Sequence, residues 1–96
     1  VNEVWYVEII LSGASGWQAH VEPLLYALQD YSGTLGEGAG GDLSVRVTVE
    51  ATDAFKAVQT ACLPVMDALL SQGLHSAVIR STEVLTEAEM DALLSS

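Results

Sequence analysis

Leu43-Ser44-Val45-Arg46-Val47-Thr48-Val49-Glu50 is the stretch that decides the fold. Leu43, Val45, Val47 and Val49 alternate with Ser44, Arg46, Thr48 and Glu50. A period of two with β-branched residues on one side describes a half-buried strand, one face on a core and one toward water. Such a strand cannot bury its valines alone. Apolar segments at helical spacing precede and follow it, and both are expected to pack on its apolar side.

Toward the N-terminus, Glu3 to Ser12 reads as another strand. Trp5, Val7, Ile9 and Leu11 form its core face, and Val4, Tyr6, Glu8 and Ile10 the other. Gly13-Ala14-Ser15-Gly16 breaks it, with Ser15 placed to cap the next helix. From residue 17 to about residue 30, Trp17, Val21, Leu24, Leu25 and Leu28 recur at helical spacing. Pro23 removes one backbone hydrogen bond from that pattern. Either a loose first turn over 17–21 precedes the helix, or the helix kinks. Ser32-Gly33 ends it. Residues 34–42 have the glycine-rich composition of a loop; residues 31–35 either lead into that loop or supply a short edge strand, the glycine run then turning back into the central strand as a hairpin.

Toward the C-terminus, Thr52 or Asp53 caps a second helix with the stripe Phe55, Val58, Cys62, Val65 and Leu69. A bend is expected at Pro64 and a stop near Gln72, because Gly73 suits the left-handed position just past a helix end. Residues 76–85 form the last strand, with Ala77, Ile79 and Leu85 on one side and Val78, Arg80, Thr82 and Val84 on the other. The pattern does not say which side meets the core. Thr86-Glu87-Ala88-Glu89 is a capping box opening a short helix with Met90, Leu93 and Leu94. The expected architecture is α+β: one domain, a ferredoxin-like βαββαβ sandwich, its antiparallel sheet carrying two helices on one face, with a short C-terminal helix.

Thirteen carboxylates against three basic residues give a formal net charge of −10. Lys56, Arg46 and Arg80 cannot build a basic patch, so direct nucleic-acid binding is not expected. The acidity either keeps a chain that is 50% apolar soluble or imitates nucleic acid toward a basic partner. The acids are scattered except near the C-terminus, which favours the first reading. No apolar run approaches the roughly 20 residues of a membrane helix. No basic stretch followed by an apolar run and a cleavage site points to secretion, and a cytoplasmic location is expected.

Chemistry-bearing motifs are few. Gly36-Glu37-Gly38-Ala39-Gly40-Gly41 matches G-x-G-x-x-G, but a dinucleotide fingerprint follows a strand and opens a helix, whereas these glycines precede a strand. His20 and Glu22 lack a second histidine or a cysteine at ligand spacing, and His75 stands alone. Cys62, the only cysteine, excludes an internal disulfide and lies on an apolar stripe. Glu8 and Glu50 face each other across strands, with Arg46 as a nearby neutralising partner. No catalytic residue, metal or cofactor is expected, and the chain is read as no enzyme.

Gly13, Ser15 and Gly16 lie between a strand and a helix, where backbone amides can receive an anion. In its element order the chain resembles small ligand-sensing ACT domains, and that resemblance implies amino-acid binding near this loop. The Asp-x-Pro-Gly type of sequence found in many of them is absent here. From Leu43 onward, with Val84-Leu85-Thr86-Glu87-Ala88-Glu89 leading into the last helix, the chain is similar to small acidic ferredoxin-like proteins of unknown function from actinobacteria and their phages. That likeness implies no activity and carries over no residue role.

The open sheet face remains. Tyr6, Glu8 and Ile10 lie beside Ser44, Arg46 and Thr48, with Arg80 near them, in a mixed aromatic and charged surface. Tyrosine and arginine are the residues that anchor interfaces. The expected function is a non-enzymatic protein-interaction or regulatory module, acting through this face or the C-terminal helix on a protein partner or on itself. Resemblance to ferredoxin-like sheets implies a homodimer. An ACT-like ligand-binding domain and an acidic inhibitor of a basic partner are the alternatives.

Overall fold

The computed structural model describes residues 1–95. The chain runs β1 (Glu3–Ser12), α1 (Val21–Ala27), β2 (Thr34–Glu37), β3 (Leu43–Ala51), α2 (Ala54–Ser71), β4 (Val78–Thr86) and α3 (Glu87–Leu94). Turns of 3-10 helix lie at Trp17–His20, Gln29–Tyr31 and Ala39–Gly41. The four strands make one open antiparallel sheet in the order β2-β3-β1-β4. This α+β arrangement is consistent with a ferredoxin-like fold.

The register of the two central strands explains the core. Val7, Ile9 and Leu11 lie opposite Val47, Val45 and Leu43, and all six are buried. The two alternating patterns therefore face the same way and make one apolar surface. Leu24 and Leu28 of the α1 segment and Ala57, Ala61, Val65, Ala68 and Leu69 of α2 complete the core over it. Trp5 closes one end, its indole Nε1 donating to the Ala51 carbonyl at 3.0 Å.

Val65 and Leu69 of the expected α2 stripe are buried, but the buried side is centred further round the helix than Phe55 would place it. Phe55 is 70% exposed, and the alanines Ala57, Ala61 and Ala68 face the sheet instead. The sheet surface is already filled by valine, isoleucine and leucine, so small residues let the helix approach closely. Asp53 is the N-cap, its Oδ1 accepting from the Lys56 amide at 2.9 Å. The helix runs through Pro64 to Ser71. Gly73 then takes φ 78°, with the Leu74 amide on the Leu69 carbonyl and the Gly73 amide on the Leu70 carbonyl, both at 3.0 Å. That paired closure satisfies carbonyls a helix end otherwise leaves open.

Elsewhere the boundaries shift for local reasons. Pro23 falls in the first turn of α1, where its missing N–H has no helical acceptor, so the loose-first-turn alternative holds. Ser15 makes no cap: Gly16, at φ 83°, precedes the 3-10 turn, which has no side-chain cap bond. The edge strand starts at Thr34 rather than at residue 31. Gly33 still belongs to the preceding turn, its amide bonded to the Leu28 carbonyl at 3.0 Å.

In β4 a bulge between the Ile10–Ser81 and Leu11–Ile79 pairs leaves Arg80 without a partner in the register and reverses the alternation. Ala77 packs toward the core before the bulge and Val84 after it, although the two lie at opposite phase in the sequence. No single side of residues 76–85 could have been assigned to the core.

Gly13 (φ 75°) lies against the backbone of Ser76, and a Cβ there would collide with the Ser76 carbonyl oxygen. Gly16 has open space around it. Gly13→Ala is expected to cost about 3 kcal/mol, from left-handed strain plus overpacking. Gly16→Ala should cost about 1 kcal/mol, from strain alone. Urea unfolding of both variants checks this, and equal losses would contradict the close approach.

Candidate functional site

The register also orders the face that turns away from α1 and α2. One row across the sheet reads Thr34, Arg46, Glu8, Glu83, and the next holds Thr48, Tyr6 and Leu85. A third reads Gly36, Ser44, Ile10, Ser81. Tyr6, Glu8, Ile10, Arg46 and Thr48 are thus brought together as the alternation of β1 and β3 requires.

Glu8 is the hub. Its Oε2 accepts from the Ser44 hydroxyl at 2.9 Å and from Arg46 Nε at 3.0 Å. The Ser44 bond, then the Arg46 bond, hold the Glu8 carboxyl below the usual carboxylate range against the opposing effect of burial. Arg80 joins from the bulge, its Nη1 reaching Asp42 Oδ2 at 2.7 Å. Asp42 precedes β3 and Arg80 lies on β4, so the pair spans β1 between them. Both pairs are exposed on the arginine side, and each contributes at most about 1 kcal/mol.

α3 folds back over this same face. The capping box forms as the sequence predicts: Thr86 Oγ1 accepts the Glu89 amide at 3.1 Å, and Glu89 Oε1 accepts the Thr86 amide at 3.0 Å. Fixed at that end, α3 sets Met90 and Leu93 beside Tyr6, Thr48 and Leu85 around a groove of about 320 Å³. Glu8, Arg46 and Glu83 also line it. A second hollow of about 350 Å³ lies on the other side of Arg46, among Ile10, Thr34, Leu35, Gly36 and Ser44.

Other candidate residues are dispersed. Glu50 pairs with Val4, two positions along β3 from the partner of Tyr6, and does not face Glu8. Gly13, Ser15 and Gly16 form a tight turn in which Gly13 abuts the Ser76 backbone, and Ala14 and Gly16 accept the amides of Trp17 and Ala19. His20 Nδ1 lies 3.1 Å from Gln72 Oε1, and His75 is exposed in the turn after Gly73. Cys62 is half-buried, and burial pushes its thiol pKa up, favouring the unreactive protonated form. Among the described residues, no three of His, Cys, Asp and Glu come together to hold a metal ion.

Sequence reasoning missed Glu83 and Leu85 as members of the face, because the bulge hides their phase. It also missed the outer side of the helical layer, where Tyr26, Phe55, Leu63 and Leu70 are exposed. No helix is long and apolar enough to cross a membrane among the described residues. No protein-family model matches the chain, and comparison with curated proteins and with solved structures gave no match.

Because its pKa is depressed on folding, Glu8 adds stability that is fully present at neutral pH. That increment is lost as pH falls through the ordinary carboxylate range of about 4–5 and below the folded value. Glu8→Gln should lower stability at pH 7 by about 1 kcal/mol. The variant should also lose less stability than the parent between pH 7 and acid. Thermal melts across pH measure both, and an unchanged acid slope would contradict the role given to Glu8.

Proposed function

We propose that the chain is a non-enzymatic protein-interaction module built on the split βαβ (βαββαβ) ferredoxin-like plan. Its docking surface is the open sheet face together with α3. The observation that carries this reading is the groove itself: α3 covers only part of the face and leaves an amphipathic channel with Tyr6, Leu85 and Met90 beside Glu8, Arg46 and Glu83. Interfaces characteristically combine an aromatic anchor and an arginine with a polar rim. At about 320 Å³ the groove is at the lower end of small-ligand sites, which run about 300–1,000 Å³, and it suits single side chains of a polypeptide.

Burial raises the pKa of the Cys62 thiol, which disfavours a nucleophilic role for that side chain. A homodimer through this face would bring together two chains of charge −10, which repel within roughly a Debye length of about 8 Å at physiological salt. A different protein is therefore the better partner.

Selection of binders from a random peptide library, followed by amide-shift mapping on isotope-labelled protein, tests the proposal. Binders are expected to move Tyr6, Thr48, Leu85 and Met90 and to lose affinity about tenfold or more on Tyr6→Ala. Binders that map instead to Phe55 and Leu63 on the helical layer would defeat it.

A further inference from the structure

We infer that the groove receives an arginine side chain of a partner polypeptide, its guanidinium at Glu83 and its stem along Tyr6, Leu85 and Met90. This rests on the docking reading above and adds the chemistry of what docks.

The register sets Glu83 directly opposite Glu8 on one face, and both line the groove. Like charges directly opposite across antiparallel strands are destabilising unless a cation answers them. Glu8 is answered by Ser44 and Arg46. Glu83 has no ion pair among the described residues.

None of the three lysine and arginine side chains is left to supply a cation. Arg46 is bonded to Glu8, Arg80 to Asp42, and Lys56 sits in the first turn of α2, which packs on the opposite face of the sheet. Two carboxylates, Glu8 and Glu83, line the groove against one cation, Arg46, and the excess negative charge is the one an external cation would answer. The apolar side chains next to Glu83 favour arginine over lysine. A guanidinium is weakly hydrated, stacks on aromatic rings and bonds a carboxylate through two N–H groups, whereas an ammonium is a strongly hydrated point charge. A second copy of the chain would bring arginines that are already paired and a net charge of −10.

The test titrates isotope-labelled protein with three blocked peptides that differ only in a central Arg, Lys or Gln between leucines. The Arg peptide is expected to move the amides of Tyr6, Glu83 and Leu85 and to bind about tenfold more tightly than the Gln peptide. Lys should fall between them. Glu83→Gln should erase the preference for Arg over Gln. Glu50→Gln, on the same face outside the groove lining, should keep it. Glu83→Gln removes a like-charge contact, so a melting temperature at or above the parent's shows that lost binding is not lost folding.

Equal binding of Arg and Gln peptides in the groove would overturn the inference and leave the docking reading standing. Lys binding as tightly as Arg would overturn the guanidinium. An equal loss in Glu83→Gln and Glu50→Gln would reduce the effect to the diffuse field of the whole chain. The absence of any shift with the Arg peptide, or the same shifts produced by unlabelled protein alone, would also overturn it.

Discussion

Antiparallel pairing of β1 with β3 is the constraint on which the rest of the structure depends, because a slip of one residue would exchange the two faces of one strand against its partner. The observed register, Val7 on Val47 and Glu8 on Arg46, satisfies both faces together. On one side it gathers valine, isoleucine and leucine into an apolar surface that the α1 segment and α2 cover. On the other it places Glu8 within reach of the Ser44 hydroxyl and Arg46 Nε. Burial on the core side outweighs the charge pair by a wide margin. A buried valine or leucine contributes about 1.5–3 kcal/mol, against at most about 1 for an exposed ion pair. The apolar face therefore fixes the register, and the polar face inherits its geometry from it.

The division into two faces also governs what the sequence could and could not reveal. Alternation in β1 and β3 was legible because each residue there answers to only one of two faces. Caps were legible as well: Asp53, Gly73 and the Thr86–Glu89 box each act through local backbone chemistry that does not depend on the rest of the fold. The buried stripe of α2 was legible only in part: Val65 and Leu69 are buried as the spacing predicts, whereas Ala57, Ala61 and Ala68 gave no such signal. Its alanines carry a weaker hydrophobic signal than Phe55 or Leu63, yet they are the residues that fit against a surface of branched side chains. In β4 the bulge at Arg80 reversed the alternation mid-strand, and no periodic reading survives such an insertion.

The candidate site follows the same division. Tyr6, Glu8, Ile10, Arg46 and Thr48 were recoverable from alternation alone, since they are the even positions of two regular strands. Glu83 and Leu85 depend on the third strand, whose phase was hidden. Met90 and Leu93 were visible as one apolar side of a short helix, but whether that helix sealed the core or covered the open face is a tertiary fact. α3 does the second, and so turns part of the sheet face into a groove. The chain's large negative charge then acquires a local meaning, because both arginines are spent on internal pairs while Glu83 faces the groove.

Everything functional in this account rests on α3 lying over the open face, and nuclear Overhauser contacts of the Met90 methyl group test that placement most directly. The account predicts contacts from Met90 to the Tyr6 ring and the Leu85 methyls in solution. Contacts from Met90 to Leu24 or Val65 in the helical core, or none to β1 and β4, would contradict it.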